Sequence, residues 1–234
     1  MKQENWYDVD TARGGDFSLS NAFPILMRKV FVWMTLALAI TGITAYGVAS
    51  SPALVGMIFS SKVMFWGLII AEFGLVMAIS GAINRLSLAT ATLLFILYSV
   101  VNGATLSVIF LAYSTTVIAK TFFITAGTFG AMALVGYTTR TDLTSIGKLL
   151  FMALIGIIIA SVVNIFVGSS GLDLIISYVG VLVFVGLTAY DTQKIKEMCR
   201  MAPDAGESMQ KLALLGSLSL YLDFVNLFLY LLRI

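Results

Sequence analysis

Seven long apolar runs, separated by short polar breaks, make up the chain after its first 24 residues. About 20 apolar residues suffice for a helix to cross the hydrocarbon core of a bilayer. The runs are Leu26 to Ser50, Val63 to Ile83, Ser87 to Ala112, Val117 to Tyr137, Ile146 to Val167, Leu172 to Tyr190 and Leu212 to Leu232. The pattern predicts an all-α integral membrane protein, in which residues 25–234 form a bundle of seven transmembrane helices.

The polar segments between and before these runs are short. Residues 1–24 lack the apolar stretch of a signal peptide, and we expect them to form a flexible cytoplasmic N-terminal tail. The longest predicted loop extends from Asp191 to Lys211 and contains Pro203 and Gly206, which are typical of loops. Connections of this length leave no room for a second domain.

The positive charges are distributed unequally between the two ends of the predicted spans. Only Lys62, Lys120 and Arg233 fall on one side, and the other eleven of the 14 Lys and Arg residues fall on the opposite side. Because Lys and Arg near span ends favour the cytoplasmic side, the bias predicts a cytoplasmic N-terminus. An odd number of spans then places the C-terminus outside.

Composition narrows the function classes further. Of the 234 residues, 59% are hydrophobic and 11% are charged, whereas a soluble domain has about 25% charged residues. The absence of histidine excludes His-ligated zinc and the Ser-His-Asp triad. A net charge of +2 gives no basic surface of the kind that nucleic acids require. The single cysteine, Cys199, cannot form an internal disulfide and is interpreted as a bystander thiol.

Three asparagines recur at a constant separation in the third, fifth and seventh spans. Asn102, Asn164 and Asn226 each follow a valine and lie 62 residues apart. If spans 2–3, 4–5 and 6–7 are three related hairpins, with the first span as an extra helix and the seventh central, the three asparagines would lie at similar depth and share a cavity. A coincidence of three dipeptides is the alternative, and both interpretations stay open here.

Three carboxylates fall within or at the end of apolar runs, where a charge costs about 2.5–3.5 kcal/mol at the bilayer centre. Asp223 lies about 18 Å beyond Lys211 along a helix, which is mid-membrane. Ser219 and Asn226 form a polar stripe with it, and we expect this stripe to face protein or water. The alternative for Asp223 is a purely structural buried acid.

Glu72 is central in the second predicted span and is a second candidate for a functional carboxylate. Asp191 lies at the end of the sixth predicted span, where it could be a solvated acid. Counting along the predicted spans separates it from Asp223 by more than about 10 Å in depth.

Two segments resemble the signature of the transmembrane Bax inhibitor family, Bax inhibitor-1 type, with its bacterial branch the closer match. They are Gly-Leu-Thr-Ala-Tyr-Asp-Thr-Gln-Lys-Ile-Lys from Gly186 to Lys196, and Leu-Ser-Leu-Tyr-Leu-Asp-Phe-Val-Asn-Leu-Phe from Leu218 to Phe228. The start of the first span, with Val30 to Met34 and Leu38 to Gly42, is also similar to that branch.

The resemblance implies a pH-sensitive calcium leak in the bacterial inner membrane, with the family's paired aspartates at Asp191 and Asp223. Two nearby carboxylates in a low-dielectric site share a proton and titrate as a coupled pair. Loss of that proton leaves an oxygen-rich site that would hold calcium transiently. Glu72, Ser219 and Asn226 are then expected to line the pore.

The family also has a latch arginine on its second helix, and this role would fall on Arg85. The distance between Arg85 and Glu72 in the sequence departs from the family's spacing.

Two other classes of membrane protein fit the sequence less well. Intramembrane aspartyl proteases carry Gly-x-Gly-Asp where this chain has Leu220-Tyr-Leu-Asp223, so an enzyme is disfavoured. A retinal pump would need a lysine in the middle of the seventh span, and the lysine there, Lys211, is at its end. The stronger alternative is a non-transporting membrane regulator that binds a membrane-bound protease or another membrane partner. Lipid, calcium and protons are the expected partners, and neither a cofactor nor nucleic acid is expected.

Overall fold

The described part of the chain is helical throughout. The computed structural model describes residues 6–200 and 206–234, and their side chains over 24–198 and 206–234. The helices are α1 (Trp6–Ala49), α2 (Pro52–Phe59), α3 (Lys62–Ala82), α4 (Leu88–Leu106), α5 (Ile109–Ala112), α6 (Thr115–Thr138), α7 (Thr144–Val167), α8 (Ser170–Arg200) and α9 (Glu207–Arg233). Seven segments are long and apolar enough to cross a membrane. The predicted all-α, seven-span architecture is therefore confirmed.

The seven spans correspond to α1 from Pro24 onward, α3, α4 continued by α5, α6, α7, α8 and α9. Residue 24, predicted as the end of the N-terminal tail, is also where the first span begins. The backbone of α1 is helical from Trp6 on, so most of the segment predicted as a flexible tail continues that helix. The short helix α2 follows α1, where the sequence suggested only a loop, whereas the short helix α5 lies within the predicted third span and continues α4.

The helix α8 is longer than the predicted sixth span. The sequence predicted a loop from Asp191 to Lys211, whereas α8 continues to Arg200 and α9 begins at Glu207. The physical reason is that residues 191–200 are mostly polar, which ends the hydropathy signal, while six of them are Gln, Lys, Glu, Met or Arg, which are good helix formers. Their pattern is amphipathic: Thr192 and Ile195 are buried, while Lys194 and Glu197 are exposed.

The helix α9 is at the centre of the bundle and packs against α1, α4, α6 and α8. In the most apolar stretch of α9, 61% of the residues are buried, against 6% in α3 and in α7. The helices α3 and α7 are peripheral, α3 on α4 and α7 on α8. The three-hairpin arrangement is not confirmed, because α6 and α7 both pack on α8 rather than primarily on each other.

Small residues allow the closest approaches between these helices. A Cβ at Gly136 of α6 would overlap the backbone carbonyl of Ala189 on α8. At the crossing of α1 and α4, a Cβ on Gly103 would lie 2.6 Å from the carbonyl oxygen of Thr41. In membrane proteins, where apolar burial adds little between helices, such close contact supplies much of the packing energy.

We expect Gly136→Ala to lower the melting temperature in detergent, because the added methyl group must displace a backbone carbonyl of α8. Such overpacking costs about 1–3 kcal/mol. The matched control is Gly130→Ala in the same helix, where a Cβ would meet no atom within 4 Å and helix propensity would improve by up to about 1 kcal/mol. Equal melting temperatures for the two variants would contradict the close contact between α6 and α8.

The charge bias predicts which side of the membrane each loop reaches, and labelling of single cysteines tests it. In a Cys199→Ser background, Lys2→Cys and Asp142→Cys should react with an impermeant thiol reagent only from the cytoplasmic side. Ser169→Cys, in the turn between α7 and α8, should react only from outside. Reaction of all three cysteine variants from the same side of the membrane would contradict the seven-span topology.

Candidate functional site

The carboxylate of Asp223 is enclosed by protein in the middle of the central helix. Its side chain is 4% exposed, and it lies 16 residues into α9, about 24 Å along the helix axis. Among the described residues, its Oδ2 atom has no hydrogen-bond partner. A buried carboxylate oxygen without a partner is costly, and such groups are characteristic of functional sites in membrane spans.

The partly buried Asp191 lies within α8, more than two turns before the helix ends. The hydroxyl of Ser219 on α9 lies close to its carboxylate, and Lys194 supplies a nearby positive charge on α8 itself. Asp191 is therefore not a solvated acid at a helix end, since it faces the central helix across the contact between α8 and α9.

The antiparallel register of α8 and α9 fixes the relative depth of the two aspartates. Gly180 packs against Tyr230, and Gly216 packs against Ile195. This register sets Asp223 opposite a position one helical turn from Asp191, which is an axial offset of about 6 Å. The separation of more than about 10 Å expected from the sequence is wrong, because it assumed that the sixth span ends at residue 190.

The two carboxylates interact electrostatically, and Asp191 is the ionisable group whose charge acts on Asp223. In a site of low dielectric constant, two such groups release their protons in steps that belong to the pair rather than to either residue. The structure thus brings together the two aspartates that the sequence resemblance paired.

A second polar cluster surrounds Glu72, on the other side of α9. The polar side chains of Asn102 and Thr105 on α4 lie close to the Glu72 carboxylate, whose Oε1 atom has no hydrogen-bond partner among the described residues. The hydroxyl of Tyr221 on α9 donates to the Oδ1 atom of Asn102 at 3.0 Å and lies 2.7 Å from the hydroxyl of Thr41 on α1. This cluster therefore links α1, α3, α4 and α9.

The central helix keeps the two polar clusters apart. Tyr221 and Asp223 are two residues apart on α9, so they point about 200° away from each other around the helix axis. Tyr221 faces α1 and α4, whereas Ser219 and Asp223 belong to the surface that meets α8. The described structure thus separates Glu72 from the aspartate pair.

The three spaced asparagines do not share a cavity, so that prediction is wrong. Only Asn102 belongs to the Glu72 cluster. Asn164 accepts a hydrogen bond from the backbone N–H of Ser169 at the end of α7, and Asn226 donates to the carbonyl of Leu222 within α9. The reason is packing: α7 lies on α8 at the periphery, so Asn164 cannot reach the central helices.

The predicted latch residue, Arg85, lies in the exposed turn between α3 and α4. Within the described ranges it forms no ion pair. It follows Glu72 by 13 residues, about 20 Å along the helix direction, so the two side chains lie at different depths.

Two buried polar residues, one in the Glu72 cluster and one beside Asp191, were not singled out from the sequence. Tyr221 is part of the motif around Asp223, but its hydroxyl had no assigned partner because the contact depends on α1 and α4. Gln193 is buried and hydrogen-bonds the loop between α6 and α7. Its position two residues after Asp191, in a segment interpreted as a loop, concealed it. Over the described residues, no group of three or more Cys, Asp or Glu side chains could hold a resident metal ion.

Comparisons with known proteins identify the family of the chain. The family model described as inhibitor of apoptosis-promoting Bax1 matches residues 24–234. The chain is 50% identical to the inner membrane protein YbhL of Escherichia coli over 209 residues, which cover 89% of each chain. It is 52% identical to an uncharacterized protein of Borreliella burgdorferi over 88% of this chain and 89% of the relative. An uncharacterized membrane protein of Streptococcus pyogenes is 39% identical over 77% of this chain and 78% of its own length.

The match to the family model covers every membrane span and both aspartates, and the relatives align over most of their length. The chain is therefore a multi-pass membrane protein that belongs to the Bax inhibitor family.

Proposed function

We propose that this protein is a pH-sensitive calcium leak channel of the bacterial inner membrane, gated by the proton shared between Asp191 and Asp223. The observation that carries the proposal is the enclosed carboxylate of Asp223, which has an unpartnered oxygen and the charge of Asp191 acting on it. The inner membrane location is supported by the name of the Escherichia coli relative.

The physical basis is the cost of two negative charges in one enclosed site. A single shared proton removes one of these charges, so the pair is stable without a cation. When the proton leaves, two carboxylates and the Ser219 hydroxyl form an oxygen-rich site, which suits a hard divalent cation such as calcium. Calcium is the transported ion in this proposal and not a resident cofactor.

We further propose that Glu72 is a second point on the ion pathway. Its carboxylate has an unpartnered oxygen and lies beside α9, about halfway through α3. Ser219 belongs to the aspartate site because its hydroxyl lies close to Asp191. Asn226 is assigned a weaker role, because its amide already bonds a carbonyl of its own helix.

A non-transporting membrane regulator is the second candidate function. It is favoured by the peripheral helices α3 and α7, whose apolar surfaces are almost entirely outside the bundle. A transmembrane partner, such as a membrane-bound protease, could pack on either surface. Purified protein in liposomes that passes no calcium at any pH would favour this candidate.

We expect Asp223→Asn and Asp191→Asn to flatten the pH dependence of calcium flux into proteoliposomes between about pH 5 and pH 8. Asparagine keeps the size of the side chain but cannot share a proton. The effect should be larger for Asp223, which is fully enclosed. Calcium-sensitive dye inside the vesicles measures the flux.

The matched control is Asp173→Asn, which removes a half-exposed aspartate at the opposite end of α8 from Asp191. Its flux should titrate like that of the wild-type protein. If Asp223→Asn also titrates like wild type, Asp223 is a packing element and the gating proposal fails.

We expect Glu72→Gln to lower calcium flux at every pH without changing the shape of the pH profile. Loss of this negative charge weakens the attraction for a divalent cation but leaves the aspartate pair intact. The same dye assay, run in parallel on Glu72→Gln and wild type, checks this. A changed profile with unchanged maximal flux would place Glu72 in the sensor instead of the pathway.

A further inference from the structure

Two side chains of α8 hold the loop between α6 and α7. The buried Gln193 donates from Nε2 to the carbonyl of Thr141 and accepts at Oε1 from the N–H of Leu143, both at 2.8 Å. Lys196, one turn further along, donates from Nζ to the carbonyl of Tyr137 at 3.0 Å, at the end of α6. The side-chain amide of Gln193 thus uses both of its polar atoms on the backbone of one loop.

The same stretch of α8 is also in close contact with the two helices that the loop connects. Gly136 of α6 packs directly on Ala189, and Gly147 of α7 packs on the ring of Tyr190. Asp191 is the next residue of α8. Along α8, Asp191 therefore follows two residues that make close helix contacts and precedes Gln193, which bonds the loop.

The loop that Gln193 holds is ordered by its own hydrogen bonds. Asp142 accepts from the N–H of Thr144 at 2.8 Å, at the start of α7. The side-chain and backbone hydrogen bonds of Thr144 lower the pKa of Asp142 below its usual value. A lowered pKa stabilises the folded structure at pH values above the pKa of the unfolded chain, and this stabilisation is lost only as pH falls through the folded pKa. Asp142 therefore stays ionised, and the loop stays intact, near neutral pH.

The central helix is anchored to a different set of helices. The hydroxyl of Ser217, which donates to the carbonyl of Ala213 within α9, also lies 3.1 Å from the carbonyl oxygen of Val30 on α1, and Tyr221 is bonded to Thr41 and Asn102. The helix of Asp223 is thus also held by α1 and α4, whereas this part of α8 is also held by α6, α7 and their loop, in addition to the direct packing of α8 on α9. The distance between the two carboxylates depends on both sets of anchors.

We propose that Gln193, assisted by Lys196, is a positioning residue that sets the depth and rotation of Asp191 relative to Asp223. The inference rests on the proposed function only for its flux readout, because the titration of the aspartate pair can be measured without transport. Loss of the amide bonds frees this part of α8 from the loop, so that Asp191 moves away from Asp223 and the two groups interact more weakly.

Few ionisable groups act on the aspartate pair, so its titration can be assigned. Asp191 faces Ser219 and Asp223 on α9 and has Lys194 on its own helix. Two titratable residues lie nearby on the helices packed against α8. They are Tyr137 of α6, whose backbone carbonyl accepts a hydrogen bond from Lys196, and Lys148 of α7, which follows Gly147. The part of α1 whose side chains are described, from Pro24 onward, carries no acidic residue, and its charged residues are Arg28 and Lys29.

The test compares Gln193→Met with wild type and with Gln210→Met, an exposed glutamine at the start of α9. Methionine keeps the length of the side chain and removes both hydrogen bonds. Infrared difference spectra of the protonated carboxyl band, recorded from about pH 3 to pH 9 and assigned with Asp191→Asn, follow the pair directly. Calcium flux in proteoliposomes is measured over the same range.

For Gln193→Met, we expect the two steps of the carboxyl titration to approach each other by about half a pH unit or more, and the flux profile to change with them. Gln210→Met should match wild type in both measurements. A Gln193→Met protein that titrates like wild type, or two glutamine variants that change equally, would overturn the inference. An intact carboxyl titration in a wild-type protein that passes no calcium would refute the proposed function and leave the positioning role standing.

If Gln193→Met fails to fold, Gln193→Asn gives the same test, because its amide is one methylene shorter and cannot reach both Thr141 and Leu143. Lys196→Met then adds an independent variant that leaves Gln193 in place. A smaller change of the same kind is expected from each, and unchanged titration in both would overturn the inference.

Discussion

A carboxylate in the middle of a membrane-spanning helix has to be enclosed by protein or water, since lipid offers it neither hydrogen bonds nor counter-charge. Asp223 places this constraint on α9. The helix is surrounded by α1, α4, α6 and α8, and it is the most buried of the seven spans. The peripheral helices α3 and α7 can tolerate lipid on most of their surface, since α7 carries no acidic residue and the one on α3, Glu72, lies close to polar side chains of α4.

The central helix meets its neighbours through two distinct surfaces. On one, Ser217 and Tyr221 bond α1 and α4; on the other, Ser219 and Asp223 meet α8. Hydrogen bonds between membrane helices are worth about 0.6–2 kcal/mol each, so their number on α9 matters more than any single bond. This division keeps Glu72 and the aspartate pair in separate polar environments.

Several features of the site were predictable from residues alone. The positions of Asp191 and Asp223 followed from two long motifs, and the polar stripe with Ser219 followed from helical spacing. The depth of Asp191 did not follow, because the charged residues after it end the hydropathy signal while the helix continues to Arg200. The contacts of Gln193 and Tyr221 also depend on partners 50 or more residues away in the chain.

The sequence by itself determined the number of spans, the membrane environment and the acids that a bilayer cannot leave exposed, since each depends on local hydropathy and on the cost of burying charge. Only the tertiary structure decided which helices touch, in what register and with which side chains facing. The spaced asparagines illustrate the difference: equal spacing predicted similar depths for Asn102 and Asn164, but Asn164 lies near the end of α7, and α4 packs on the centre whereas α7 packs on the periphery. Helix packing depends on surface shape and close contacts such as that at Gly136, which no local pattern encodes.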